Sequence, residues 1–112
     1  MIAGRIEFVP EPPRFERADV DIWIEDTTYA DAAAVEIFHT RLTSVSYDSA
    51  AGGLPFTLDY TPTHEPGRTY SFGVLVDVDG DGRPSRGDYI SFEAVRVPVD
   101  GSEARVRVRR ID

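Results

Sequence analysis

The sequence predicts an all-β domain. Most of the chain alternates apolar and polar residues with a period of two, the alternating runs are rich in β-branched and aromatic residues, and no convincing long helix interrupts them. At 112 residues the chain suits a single domain, residues 1–112, and can bury a core without staples. Hydrophobic residues make up 41 %, with six Phe, five Tyr and one Trp, which is globular rather than disordered composition.

The first strand is expected at about Gly4 to Val9, and the proline-rich stretch "PEPPRFER" then interrupts pairing, because proline has no N–H to donate. "ADVDIWIED" is the clearest strand. Val20, Ile22 and Ile24 share one face, while Asp19, Asp21, Trp23 and Glu25 share the other. Trp23 therefore lies on the more exposed side, either as an anchor for a partner or as a ring covered by a neighbouring loop. "TTYADAAA" reads as a loop or short helical turn. A third strand runs from about Val35 to Val45, and its apolar positions change phase between Ile37 and Phe38, which predicts a bulge or bend.

After the loop "SYDSAAGG", "LPFTLDY" places Phe56, Leu58 and Tyr60 on one face. Pro66-Gly67 suits the two centres of a type II turn. "TYSFGVLVDV" is expected to send Tyr70, Phe72, Val74, Val76 and Val78 into the core. "YISFEAVRV" is the sixth strand and a turn begins at Pro98. "ARVRVRRI" is the last strand, alternating Val106 and Val108 with Arg105, Arg107 and Arg109. These arginines, with Arg110, are expected to keep an edge strand soluble or to pair with acidic neighbours. An acidic peptide partner is a further reading of the same row. Seven strands of this kind indicate a seven- to eight-stranded antiparallel β-sandwich with Ig/transthyretin-like Greek-key connections, since one open sheet would leave an apolar face wet.

The formal net charge is -8, and all 12 basic residues are arginine. Nucleic acid, which needs a positive surface, is not an expected partner. The absence of lysine excludes a Schiff-base mechanism, and the absence of cysteine excludes disulfides, thiolate metal sites and cysteine nucleophiles. No apolar run is long enough to span a bilayer. "MIAGRIEFVP" has neither the basic region nor the apolar segment of a signal peptide, and no cysteine is available to carry lipid. The sequence as given thus suits an intracellular protein, or one whose export segment has been removed.

"DVDGDGRPSRGD", residues 77 to 88, carries the strongest local signal. With Asp77 as position 1, Asp79 and Asp81 fall at 3 and 5, Gly82 at 6, Arg83 at 7 and Asp88 at 12. That is the spacing of an EF-hand calcium loop. Calcium takes six to eight oxygen ligands at about 2.3–2.6 Å, and alternating carboxylates can curl round one point. Gly82 permits the sharp turn, Arg83 can offer its carbonyl with its side chain pointing away, and Ser85 can bind directly or through water. The expected ligands are Asp77, Asp79, Asp81, the backbone of Arg83, and Asp88. Strands rather than helices flank the loop, which argues for a structural ion and against a calmodulin-like switch. An Asp at position 12 reaches less far than Glu, so the site should be weak, about 10⁻⁴–10⁻³ M. An acidic Asp-Gly turn is the competing account. Against it, two carboxylates about 4 Å apart repel by roughly 4 kcal/mol at an effective dielectric near 20, and something must offset that.

His39 and His64 have no neighbours in sequence that complete a triad or zinc site, and Ser44, Ser46 and Ser71 lack the context of a nucleophile. Asp19 and Asp21 read as a solvated strand face.

Four stretches together resemble the YbaY-type small bacterial lipoproteins, which are related to the YscW pilotins of type III secretion: "GRIEF", "ADVDIWIEDTTYADAAA", "LPFTLDYTP" and "PGRTYSFGVLVDVDGDG". The resemblance covers most of the chain in order. It implies a β-sandwich and a non-enzymatic role at the cell envelope, where pilotins bind the end of a secretin subunit and guide its assembly. It implies no catalytic residues.

The leading expectation is a calcium-stabilised β-sandwich that binds a protein or peptide, or serves as a structural module, through a sheet edge or the Trp23 face. A weak calcium site favours the cell envelope or an extracellular setting. The alternatives are a plain structural domain without metal, and a metal-dependent hydrolase, which would need an open coordination position and a general base.

Overall fold

In the computed structural model, residues 1–9, 15–28, 33–47, 53–60, 67–93, 95–98 and 101–111 are described. Among them the chain forms eight strands: β1 (Ile2–Phe8), β2 (Phe15–Asp26), β3 (Val35–Tyr47), β4 (Leu54–Leu58), β5 (Tyr70–Asp77), β6 (Tyr89–Ser91), β7 (Val95–Arg96) and β8 (Ala104–Arg110). No described residue is helical. The loops expected around 10–14, 29–32 and 48–52, the turn positions 66, 99 and 100, and His64 lie outside the described residues.

The all-β expectation holds, but the antiparallel two-sheet arrangement is corrected. All strands belong to one sheet in the order β3-β2-β5-β6-β8-β1-β4, with β7 also on β5. The sheet is mixed, because β1 runs parallel to β8, from Gly4 beside Ala104 to Phe8 beside Val108. It curls until nearly closed into a barrel, so its two ends share one core. Phe56 of β4 meets Phe72 of β5 edge-on across the interior at 6.0 Å. Phe8 packs between Tyr47 and Tyr89, with ring centroids at 4.6 and 5.2 Å. A curled sheet protects an apolar face as well as a second sheet does, so alternation alone does not separate the two.

On β2, β4 and β8, and on β5 as far as Val76, the inward faces are those the sequence marks. Ile6, Val20, Ile22, Ile24, Val74, Val76, Val106 and Val108 are fully buried. Each such side chain contributes about 1.5–3 kcal/mol by leaving water. Phe56 and Leu58 are buried as expected, and Tyr60 packs against the core at 5.1 Å from Phe38.

The phase change in β3 is a real irregularity. Ile24 pairs with Phe38 but Glu25 pairs with Glu36, so Ile37 is the extra residue. The bulge leaves Val35 and Ile37 exposed while Phe38 and Leu42 reach the core. A second shift lies between Ala18 and Val20, opposite Ser44, whose φ is 55°.

Four local expectations change. β2 begins earlier than expected, at Phe15. Val78 is exposed rather than inward, because the β2–β5 ladder ends at the Asp19–Asp77 pair and the chain then leaves the sheet. The sixth strand is broken into β6 and β7, which pair with successive parts of β5. Finally, β8 is not an edge strand, since β6 and β1 flank it.

β5 is buried on both faces from Ser71 to Asp77. Its outward Gly73 lies under the Trp23 ring, where an added Cβ would come within 2.1 Å of the indole. Gly73→Ala must therefore lift Trp23. It should cost about 1–3 kcal/mol in denaturant unfolding and shift the emission of the sole tryptophan to longer wavelength. Unchanged emission and unchanged stability would show that the ring does not rest there in solution.

Candidate metal centre

The sheet itself brings the acidic loop together. β5 ends at Asp77 and β6 begins at Tyr89, and Val76 pairs with Tyr89, so the ends of the loop are fixed side by side. The chain after β8 closes the base: Ile111 N–H donates to the Asp88 carbonyl at 2.8 Å, and Gly87 N–H donates to the Ile111 carbonyl at 2.9 Å.

The four expected carboxylates converge. Asp77, Asp79, Asp81 and Asp88 each offer an oxygen within 4.8 Å of the others. Asp77 and Asp88 are fully buried at the base, while Asp79 and Asp81 are exposed above them. Backbone amides organise the loop around Asp77. Its Oδ1 accepts from Gly80 N–H at 3.0 Å and its Oδ2 from Gly82 N–H at 2.8 Å. Gly82 sits at φ 81°, a conformation that disfavours a side chain and lets its N–H turn back towards Asp77.

Asp88 Oδ1 accepts from Val78 N–H at 2.9 Å, and its Oδ2 accepts from the Ser85 amide and hydroxyl. Ser85 Oγ also lies 2.7 Å from Asp79 Oδ2, so this side chain ties the top of the loop to its base. The Arg83 side chain stands in solvent, with Nε 3.9 Å from Asp81. An all-oxygen, carboxylate-rich donor set suits a hard divalent cation such as calcium or magnesium and offers nothing to a soft metal.

Burial pushes the Asp77 carboxyl above the ordinary Asp range, because an ionised carboxylate in the sheet loses hydration. Asp79 moves the other way, held low first by hydrogen bonding from Ser85.

Sequence spacing does not reveal Arg41. From β3, its Nη2 reaches Asp77 Oδ2 at 3.1 Å and Asp19 Oδ2 at 2.8 Å, and its Nη1 reaches Asp21 Oδ2 at 2.6 Å. These contacts, with Asp19 foremost, raise its already high pKa. Asp21 is thus not on a solvated face. It is buried, held by Arg41 and by His39 Nε2 at 3.0 Å. The usable signal was an acidic pair on the outer face of β2, which calls for a cation on an adjacent strand.

Trp23 is half-buried, its Nε1–H donates to Glu25, and His39 meets its ring edge-on at 6.4 Å. His39 also faces Glu36, with Nδ1 at 3.4 Å. Trp23 lies on the outer face near the Arg41 cluster, not in the acidic loop.

No protein-family model matches the chain, and no curated protein matches it. Among solved structures it is similar to an alternative pilotin from the type II secretion system of Vibrio cholerae. The TM-score is 0.65 at 17 % identity, over 99 % of this chain and 96 % of that one. The likeness is one of fold: this chain has the fold of a pilotin.

In chelator-treated protein, the raised pKa of Asp77 means that the folded state holds its proton more tightly than the unfolded chain. The stabilisation from this group is full below about 3.8 and is lost as pH rises through the higher folded value. Asp77→Asn should remove that loss, which urea melts across the acid range would read. An identical pH dependence in the variant would place the titration elsewhere.

Proposed function

We propose that this protein is a non-enzymatic, protein-binding module of the cell envelope, acting in the manner of a pilotin and related to the YbaY-type domains it resembles. The observation that carries this reading is the fold shared with the Vibrio pilotin along almost the whole of both chains. The four stretches that resemble the YbaY-type family point the same way, while no family model matches the chain. The expected partner is a secretin subunit, and Trp23, half-buried on the outer face, is the proposed contact.

The second part of the proposal is that calcium pins the β5–β6 end of the barrel. Asp77, Asp79, Asp81 and Asp88 would hold it with the carbonyl of Arg83. The ion would supply the positive charge that four converging carboxylates lack when Arg41 is shared with Asp19 and Asp21. Its role is structural. The loop's own hydrogen bonds favour a second reading, a metal-free acidic turn, because the amides of Gly80 and Gly82 already satisfy Asp77.

Two measurements test the proposal. Thermal melts of metal-stripped protein should rise with calcium, gaining about 2.7 kcal/mol when calcium is ~100-fold above its Kd, and Asp79→Ala/Asp81→Ala should abolish the rise. No shift at millimolar calcium would leave the acidic turn as the correct account. Separately, the protein should capture the C-terminal segment of a secretin from its own cell, and Trp23→Ala, checked for folding by its melt, should weaken capture. Equal capture would remove the Trp23 face, and no capture by the wild-type protein would sink the pilotin reading.

A further inference from the structure

The outer face of β8 carries Arg105, Arg107 and Arg109, all exposed, between the buried Ala104, Val106 and Val108. Because β8 lies inside the sheet, these arginines do not guard an edge. Arg5 on β1 stands in register beside Arg105, placing like charges on adjacent strands, an arrangement that costs stability. Carboxylates compensate the row incompletely. Glu7 lies in register with Arg107, Glu93 reaches Arg107 at 3.7 Å, and Glu103 reaches Arg5 at 3.9 Å. Among the described residues, Arg105 and Arg109 form no ion pair with a carboxylate.

Phe92 adds a second feature. It sits where the sixth strand breaks and is 36 % exposed. The guanidinium carbons of Arg109 and Arg107 lie 4.8 and 5.5 Å from the centre of its ring. One aromatic ring thus holds two cations in place on the surface, which lowers the entropy a binding partner must remove.

We infer that this arginine row, with Phe92 at its end, is a docking surface for an extended acidic peptide. Alternate residues on a strand recur about every 6.6 Å. An extended peptide with a carboxylate at every second position therefore matches Arg105, Arg107 and Arg109 one for one, and each guanidinium can take a carboxylate through two parallel hydrogen bonds. The net charge of -8 opposes an anionic membrane or a nucleic acid but leaves room for a short segment that meets only this face. The inference rests on the reading of the chain as a protein-binding module and names the chemistry of one partner.

The probe is a fluorescein-labelled, end-capped peptide of about ten residues, Glu alternating with Thr, with the same residues arranged in blocks as control. Anisotropy at low salt should show the alternating peptide binding more tightly, and the binding should fade as salt rises. Arg105→Gln/Arg109→Gln should weaken it about tenfold, the size two exposed charge pairs support. Arg105→Gln alone should leave the melting temperature unchanged or higher, because it relieves Arg5. Phe92→Ala should also weaken binding without unfolding the protein. Equal binding by the double variant, equal binding of the blocked peptide, or tighter binding of phosphatidylglycerol vesicles or an oligonucleotide to the same arginines would overturn the inference. So would salt-sensitive self-association in sedimentation that the double variant abolishes, because the occupant would then be a second copy. The peptide readout does not involve Trp23 or a secretin, so failure of the pilotin reading and failure of this surface are told apart.

Discussion

The ladder between β2 and β5 is the interaction on which the rest depends. It runs unbroken from Asp26 beside Tyr70 to Asp19 beside Asp77. On its inner side it aligns Val20, Ile22 and Ile24 with Val76, Val74 and Phe72, which form the centre of the core. On its outer side it sets Trp23 over Gly73 and brings Asp19, Asp21 and Asp77 into one cluster. A slip of one residue would turn the apolar set outwards and carry the acids into the core, so burial enforces the register.

That register creates an electrostatic problem at one end of the barrel. Asp77 closes β5 at a fully buried position, beside two acids of β2 and three of its own loop. Arg41, delivered by the neighbouring edge strand, offsets part of the charge by touching Asp19, Asp21 and Asp77 at once. Loop amides offset another part at Asp77 and Asp88. The proposed calcium would complete the balance, which is why the metal and the packing of β3 are parts of one question.

The two ends of the sheet are handled differently. β4 is short and contains Pro55, which has no N–H to offer another strand. β3 is long, and its bulges bend it away from a flat edge while leaving Val35 and Ile37 in solvent. The proposed protein-binding role needs surfaces that folding does not consume. The outer face supplies two of contrasting chemistry, an aromatic ring among acids at Trp23 and arginines around an aromatic ring at Phe92.

Much of this was legible in the sequence. Alternation identified which residues of β2, β4 and β8, and of β5 as far as Val76, face inward, because the pleat sends successive side chains to opposite faces and water sorts them. The phase change at Ile37 revealed a bulge, and the spacing from Asp77 to Asp88 revealed the convergence of four carboxylates, since both are local properties of a few residues. The tertiary structure decided which strands are neighbours. Backbone hydrogen bonds join strands, and they are the same whatever the side chains, so nothing in the alternation could announce that Gly4–Phe8 runs parallel to Ala104–Val108. That one pairing turned an expected sandwich into a single curled sheet and moved β8 from the edge to the interior. The role of Arg41 is hidden from the sequence for the same reason: its contact with Asp77 depends on β3 and β5 lying on either side of β2, an arrangement that no spacing along the chain encodes.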